Sequence, residues 1–278
     1  MSYSNLLDPK NTLNLIGFKK HFIFFKKLYD EKKFPKVLLI SGLKGLGKFT
    51  LINHLLCYIF DKQNYDYSNN IISENSSYLK KIKQNTFLNL IYLDGDNHQS
   101  IKVDDIRNLK DNLNQSCFDN QKRFIILDNI NSFNKNSLNA LLKSIEEPNE
   151  LNYFILIHNN SKPILETIKS RCFEYKIFLS KKEINSITKD LLKRENIEPI
   201  ISFDFIKTTP GNFLKFNLIL KELNIDLNDG FIENLKILTF SFKKEKDSIL
   251  VELIYFYVNY YFQNLRVFEN DDLKKIYQ

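Results

Sequence analysis

The stretch from Gly42 to Thr50 reads Gly-Leu-Lys-Gly-Leu-Gly-Lys-Phe-Thr, and it comes just after the apolar run Val37-Leu38-Leu39-Ile40. This spacing matches a strand, a G-x-x-x-x-G-K loop and a helix, an arrangement in which backbone N–H groups and a lysine bind a polyphosphate. The stretch therefore predicts an α/β domain with a phosphate-binding loop, which we call the phosphate loop. Its candidate binding residues are Gly42, Gly45, Gly47 and Lys48.

The position after Lys48 departs from this pattern. It is normally Ser or Thr, whose hydroxyl ligates Mg²⁺, but here it is Phe49. Thr50 is a poor substitute, because one helical step turns a side chain by about 100°. The sequence therefore predicts a loop that holds ATP or ADP only weakly, with little dependence on magnesium, and that has lost a residue needed to cleave the nucleotide.

Apolar, β-branched runs alternate with helical patterns from residue 18 to residue 178. Strands are predicted at 36–41, 89–93, 123–128, 153–158 and 173–178, and helices near 18–32, 47–61, 102–116, 134–147 and 162–170. Near-continuous apolar strands separated by helices predict a parallel five-stranded sheet with helices on both faces. Residues 62–88 are polar and rich in Asn and Ser, which favours an insertion or a long loop.

The strand pattern stops after residue 180, and helices are predicted at 181–195, 200–208, 210–224 and through most of the remainder. Turn residues at 226–230 mark a boundary. We therefore predict an α/β domain over 1–179, a small helical domain over 180–225 and a C-terminal helical domain over 226–278. Apolar residues cover most of the helix circumference at 250–262, which fits either a small core or a subunit interface.

The composition narrows the class of protein. An apolar fraction of 43% and a charged fraction of 26% in 278 residues are typical of a soluble globular protein. No apolar stretch is long enough to span a membrane and no signal peptide is visible, so we expect a cytoplasmic location and no membrane partner. The three cysteines lie far apart in the sequence, so we expect neither a disulfide framework nor a metal site. The net charge of +7 comes from lysine pairs along the whole chain, which favours a solvated surface over a dedicated DNA groove.

Residues at the end of a second predicted strand complete the predicted nucleotide site. The run Phe124-Ile125-Ile126-Leu127 leads to Asp128, which is placed to hold magnesium through water, although an aspartate there also suits a simple turn. The next residue, normally a glutamate that activates the attacking water, is Asn129, and an amide is a far poorer base. Asn159 directly follows the strand predicted at 153–158.

Two later stretches carry a family resemblance. Residues 139–148 read Asn-Ala-Leu-Leu-Lys-Ser-Ile-Glu-Glu-Pro and residues 167–172 read Thr-Ile-Lys-Ser-Arg-Cys. In this order after the phosphate loop, they resemble the clamp-loader branch of the AAA+ proteins, over about residues 10–225. The resemblance implies an AAA+ sheet domain, a helical lid and a collar-like C-terminal domain that joins subunits. It also implies that Asn159 lies near the sensor position, where a polar side chain normally contacts the γ-phosphate.

The resemblance also implies a role for Arg171, within Ser170-Arg171-Cys172, as an arginine finger that reaches the nucleotide site of a neighbouring subunit. A guanidinium group suits this role, since it stabilises charge on the transferring phosphoryl group. The alternative is that Arg171 only pairs with a carboxylate of its own domain. The chain has few arginines and many lysines, so an arginine here is expected to have a specific reason.

In this family, subunits form a hetero-pentameric ring that opens a sliding clamp and places it on primed DNA. A P-G-R segment of the family appears here as Pro210-Gly211-Asn212, so Phe49, Asn129 and Asn212 are three losses in the chain's own site, while Arg171 is retained. This asymmetry predicts a non-hydrolysing subunit of the replicative DNA polymerase complex. The family's zinc module would fall within residues 62–88, which contain no cysteine, so no zinc is expected.

Two alternatives remain open from the sequence. One is a self-sufficient P-loop ATPase in which Thr50 and Asp128 manage magnesium and Asn129 is tolerated. The other is a scaffold subunit of a different AAA+ assembly in replication or repair, which would keep Arg171 and recruit other partners.

Overall fold

The structure is a computed structural model that describes residues 7–95, 101, 103–114, 121–201, 208–227 and 230–276. The chain divides into two compact units. The first, which we call the sheet unit, runs from Pro9 to Ile187, and the second, the helical unit, runs from Thr188 onward and includes Leu7 and Asp8. The division into three domains made from the sequence stays a prediction.

The sheet unit contains seven strands in its described part. They are β1 (Val37–Ser41), β2 (Tyr65–Asp66), β3 (Ile71–Ile72), β4 (Leu90–Asp94), β5 (Arg123–Asp128), β6 (Asn152–His158) and β7 (Phe173–Lys176). Five of them form a parallel sheet in the order β4–β5–β6–β1–β7. The predicted five-stranded parallel sheet is therefore confirmed.

Helices cover both faces of this sheet. They are α1 (Lys19–Asp30), α2 (Lys48–Phe60), α3 (Ser77–Lys83), α4 (Val103–Asn114), α5 (Lys135–Glu146), α6 (Glu166–Lys169) and α7 (Lys181–Glu195), the last of which continues into the helical unit. All five residues of β1 are buried, and Leu38 and Ile40 join one core while Val37 and Leu39 join the other. The first core includes residues of α1, α2 and α3, and the second includes residues of α4, α5 and α6. Burial on both faces explains why the central strand is an uninterrupted apolar run.

The segment from residue 62 to residue 88 is folded, and the prediction of a long loop there was wrong. It contains the antiparallel hairpin β2–β3, with Tyr65 opposite Ile72, and the helix α3. Tyr65, Ile72 and Tyr78 are all buried in the core on the α2 face. Widely spaced aromatic and apolar side chains, hidden among polar ones, hold this segment on the domain.

Asp61 organises the start of this segment. Its carboxylate accepts hydrogen bonds from the Ser76 hydroxyl at 2.7 Å, the Tyr78 backbone N–H at 3.2 Å and the Asn64 side-chain amide at 2.8 Å. Burial alone would raise the pKa of Asp61, but the hydrogen bonds from Asn64, Ser76 and Tyr78 outweigh it and hold that pKa below its usual range. The charged carboxylate thus ties the end of α2 to the start of α3.

The helical unit contains α8 (Pro210–Glu222), α9 (Phe231–Glu245) and α10 (Ser248–Ile276) in addition to the end of α7. Buried Asn234 on α9 donates to the Asp226 carbonyl at 2.7 Å and to the Tyr257 hydroxyl at 3.1 Å. The helices predicted at 181–195 and 210–224 match α7 and α8, while most of the helix predicted at 200–208 lies outside the described residues. Among the residues that the structure describes, no helix is both long and apolar enough to cross a bilayer.

Candidate nucleotide site and an exposed arginine

The phosphate loop connects β1 to α2, as the sequence predicts. Gly45 and Gly47 have φ values of 80° and 95°. Glycine is the residue that adopts this left-handed backbone region without a steric cost, so both glycines are required for the turn. Lys48 follows as the first residue of α2.

Lys48 closes the phosphate loop on itself. Its side chain is only 4% exposed, and its ammonium group donates to the carbonyl oxygens of Gly42 and Leu43, each at 2.7 Å. A buried ammonium needs such acceptors because its charge is otherwise left without solvent. A phosphate that binds this loop has to compete with carbonyl oxygens that Lys48 already contacts.

Phe49 is part of the hydrophobic core rather than of a metal site. It is 6% exposed, and its ring lies edge-on to Tyr92 of β4, with 4.9 Å between ring centroids. A phenyl ring has no lone pair to offer a cation. Thr50, the next residue on α2, is half-buried. The hydroxyl ligand that magnesium requires at position 49 is therefore replaced by an aromatic contact.

Asp128 ends β5 and lies opposite Asp94 at the end of β4. Its carboxylate accepts from the Tyr92 hydroxyl at 3.1 Å and from the Asn129 backbone N–H at 2.8 Å. Burial, followed by the like charge of Asp94, raises the pKa of Asp128 to about 6, although Tyr92 and Lys48 act in the opposite direction. Sequence analysis missed Tyr92 and Asp94, even though Asp94 directly follows a predicted strand just as Asp128 ends one.

Asn129 builds the turn after β5. It has a φ of 49°, in the left-handed region that asparagine tolerates better than most residues. Its side-chain amide donates to the Ser132 hydroxyl at 2.7 Å. The asparagine thus has a structural reason to be here, and that reason is unrelated to water activation.

Asn159 lies at the same edge of the sheet as the phosphate loop. It directly follows β6, whose last residue, His158, pairs with Ser41 at the end of β1. The Asn159 backbone N–H donates to the Asn131 side chain at 3.2 Å. The carboxyl ends of β1, β5 and β6 therefore bring together the phosphate loop, Asp128 and Asn159, which is where parallel α/β sheets bind ligands.

Two predicted residues do not belong to this edge. Asn212 is in the helical unit, where its side-chain amide donates to Glu252 of α10 at 3.0 Å. Arg171 lies between α6 and β7, before the amino end of the edge strand. Register pairs Phe173 with Leu38 and Lys176 with Ser41. The phosphate loop, which starts at Gly42, thus lies four residues, or roughly 13 Å, beyond the level of Phe173, at the opposite end of the strands from Arg171.

The guanidinium group of Arg171 is exposed and has partners in its own unit. Its side chain is 36% exposed and forms an ion pair with Glu146 at 2.6 Å. It also donates to the Thr167 carbonyl at 2.7 Å and to the Ser170 hydroxyl at 3.3 Å. The carboxylate partner that the sequence left open as an alternative is therefore present. An ion pair this exposed contributes little to stability and can be exchanged.

The donor set does not fit a magnesium–nucleotide complex. Phe49 supplies no ligand, and Asp128 already accepts from Tyr92 and from the Asn129 backbone. Within the described part of the chain, no group of three or more His, Cys, Asp or Glu side chains is placed to hold a metal ion. The arrangement retains the strand, loop and helix of a phosphate-binding site, with Phe49 in the position of the hydroxyl ligand and Asn129 after the acidic strand end.

The strand order, the phosphate loop after β1 and the acidic end of β5 define a domain of the AAA+ class. Residues 18–180 match the protein family described as DNA polymerase III, delta subunit. The match covers more than half of the chain, and the chain belongs to this family. The resemblance to the clamp-loader branch, and within it to the delta prime subunit, is thereby confirmed.

Individual relatives agree with this assignment. The chain is 28% identical over 200 residues to DNA polymerase III subunit delta' of Buchnera aphidicola subsp. Schizaphis graminum, a match covering 69% of this chain and 59% of that protein. It is 31% identical over 164 residues to DNA polymerase III subunit gamma of Buchnera aphidicola subsp. Acyrthosiphon pisum, covering 58% and 43%. The match thus spans only about half of these relatives' length.

A solved structure supports the fold. A DNA polymerase III gamma subunit-related protein of Thermotoga maritima superposes with a TM-score of 0.50 at 18% sequence identity, covering 84% of this chain and 82% of that one. At this level of identity the similarity concerns the fold alone.

Proposed function

We propose that this chain is a clamp-loader subunit of a bacterial DNA polymerase III that does not hydrolyse ATP by itself. It instead supplies Arg171, in trans, to the nucleotide site of a neighbouring ATPase subunit. The observation that carries the proposal is the contrast between a buried Phe49 in place of a metal ligand and an exposed Arg171.

The chain's own site supports the first half of the proposal. Lys48 is bonded to the phosphate loop's own carbonyls, and Phe49 packs against Tyr92. Asn129, in the position of the water-activating residue, is used in a turn. With neither a hydroxyl ligand nor a general base, in-line attack on a γ-phosphate loses the help on which such enzymes depend.

The position of Arg171 supports the second half. It lies at the amino end of the strands, whereas the chain's own phosphate loop lies at the carboxyl end. An arginine so placed cannot serve its own loop across the length of the strands. An exposed guanidinium beside an edge strand is instead available to a second protein, which fits a finger that acts between subunits.

The proposed partners follow from the family to which the chain belongs. We propose that the chain joins other clamp-loader subunits in a hetero-pentameric ring through its C-terminal helices, and that the ring places a sliding clamp on primed DNA. Within that ring this subunit holds ATP or ADP weakly, if it holds either.

The test is Arg171→Ala in the assembled complex. The variant is expected to fold and assemble, because the side chain is exposed, and the complex is expected to lose about 10³-fold in hydrolysis at the one site that Arg171 faces. Arg171→Lys is expected to fail nearly as badly, since a point charge cannot contact two phosphate oxygens as a planar fork does.

Melting temperature, assembly and ATP hydrolysis are to be measured on the same preparations. If the pair with Glu146 were the whole role of Arg171, the melting temperature would change little, because the pair is exposed, and hydrolysis would follow assembly alone. Normal hydrolysis by a fully assembled Arg171→Ala complex contradicts the proposal.

A further inference from the structure

The guanidinium group of Arg171 is held from two sides. On one side, its Nη2 atom lies 2.6 Å from a carboxylate oxygen of Glu146. On the other side, Nη1 donates to the Thr167 carbonyl at 2.7 Å and to the Ser170 hydroxyl at 3.3 Å. Within the described part of the chain, the hydrogen bonds of Arg171 to protein atoms come from Nη1, so Nε and Nη2 retain N–H donors for the oxygens of a phosphate.

Glu146 and Thr167 both belong to elements that are anchored in the core. Glu146 is the last residue of α5, whose Leu141 and Ile145 are buried against the sheet. Thr167 belongs to α6, where its neighbour Ile168 is fully buried. The residues that contact the Arg171 guanidinium from its two sides are therefore fixed by packing, although the arginine itself is exposed.

An exposed arginine without such partners samples many rotamers, and ordering it during catalysis costs entropy. Contacts that order the Arg171 side chain before the neighbouring subunit binds remove that entropic cost from the reaction. The same pair contributes little to the stability of the free chain, because exposed ion pairs are weak. Positioning of the Arg171 side chain therefore explains its contact with Glu146, whereas stabilisation of the fold does not.

We propose that Glu146 is a positioning residue that holds Arg171 in the pose in which it meets the neighbour's nucleotide. The inference rests on the proposed function, since it has meaning only if Arg171 acts in trans. Glu146 itself does not touch the nucleotide. Its carboxylate forms the ion pair with Nη2 of Arg171 and restrains the guanidinium group from that side.

The experiment compares Glu146→Ala, Glu146→Gln and Glu147→Ala in the assembled complex. Glu147 is the matched control, because it is the next residue and is also an exposed glutamate. For Glu146→Ala we expect kcat to fall about tenfold while KM for ATP changes by less than about twofold, since a misplaced finger affects the transition state rather than ATP binding. Glu146→Gln keeps an acceptor oxygen at the same reach and is expected to retain most of the wild-type kcat. The Glu147→Ala control is expected to match wild type.

A second measurement uses the isolated chain and needs no activity. The chain has five arginines, so the side-chain ¹⁵N–¹H signals of Arg171 can be assigned by substitution. Glu146→Ala is expected to shift and sharpen the Arg171 signals as the side chain becomes mobile, while Glu146→Gln and Glu147→Ala leave them close to wild type.

The outcomes separate this inference from the proposed function. If Arg171→Ala inactivates the faced site but Glu146→Ala keeps wild-type kcat, Glu146 does not position the finger and the proposed function stands. If Glu146→Gln loses as much as Glu146→Ala, an acceptor at this place is not enough, and the inference is wrong. If Arg171→Ala itself is fully active, the proposed function fails first and takes the inference with it.

Discussion

The facing carboxylates of Asp94 and Asp128 place two like charges at adjacent strand ends, and burial together with this repulsion outweighs the opposing effects of Tyr92 and Lys48 on Asp128. Because the folded pKa of Asp128 is about 6 and its ordinary value is 3.8, ionising Asp128 costs the folded state free energy. That cost grows as pH rises from about 3.8 to about 6, and above this range it is constant. At neutral pH the carboxylate therefore destabilises the fold.

Asp128→Asn is accordingly expected to stabilise the chain at pH 7.5 by about 1–3 kcal/mol, because it removes the buried charge and still offers an oxygen to Tyr92. Chemical denaturation at pH 7.5 and at pH 4 measures the effect, which should nearly vanish at the lower pH. Asp111→Asn, which replaces an exposed carboxylate on α4, is the control and should change stability little. A less stable Asp128→Asn protein at pH 7.5 would contradict the prediction.

At the scale of single residues, the sequence showed which catalytic side chains are missing but not which contacts the substituted residues make. The absence of a hydroxyl at position 49 is visible in the motif itself. The contact of Phe49 with Tyr92 is not, because the partner comes from β4, over forty residues later, and such contacts depend on how elements pack. For the same reason the link between Arg171 and Glu146, which joins the end of α5 to the turn between α6 and β7, could be named only as an open alternative.

At the scale of elements, the folded segment from residue 62 to residue 88 makes α2 sensitive to acid. His54 on α2 is fully buried, and its Nδ1 atom lies 3.3 Å from the Tyr65 hydroxyl at the start of the hairpin. Burial lowers the pKa of His54 from 6.5 to about 3. Between these two pH values the unfolded chain binds a proton that the folded chain does not, so stability falls as pH falls.

The expected slope from His54 is about 1.4 kcal/mol of stability lost for each pH unit between 6.5 and 3. His54→Gln removes the titrating group and is expected to flatten the pH dependence in this window, even though it lowers stability at pH 7. Urea unfolding at several pH values gives both curves. Parallel curves for the two proteins would show that the acid sensitivity comes from elsewhere.

The folded segment was missed because its support is not local. The Leu15 backbone N–H donates to the Asn70 carbonyl at 3.0 Å, and the Ile72 backbone N–H donates to the Leu13 carbonyl at 2.8 Å. A chain segment more than fifty residues earlier thus pairs with the hairpin. Periodicity within the segment carries no sign of this, whereas the five sheet strands carry their own signal as continuous apolar runs.

For the whole molecule, we expect no ATP hydrolysis by the isolated chain, since both the metal hydroxyl and the general base are lost. Calorimetry is expected to show weak nucleotide binding that is nearly the same with and without magnesium, because backbone N–H groups and a lysine need no metal. Lys48→Ala should reduce this binding further. Turnover near 1 per second, in the range of ordinary enzymes, or strong dependence on magnesium would contradict this prediction.

The parallel five-stranded sheet and the class of fold could be predicted because each strand and helix has a local pattern and parallel strands with helical crossovers allow few topologies. The division into three domains, with boundaries after residues 179 and 225, stays a prediction. The two compact units separate between Ile187 and Thr188, within α7. A continuous helix gives no turn signal at the point where it passes from one unit to the next.

The ammonium of Lys48, bonded to carbonyls of its own loop, has a consequence for the life of the protein in the cell. A newly synthesised chain has the means to complete this turn from its own atoms, without waiting for a nucleotide. In the proposed ring we therefore expect the fold of this subunit to respond little to the ratio of ATP to ADP around it.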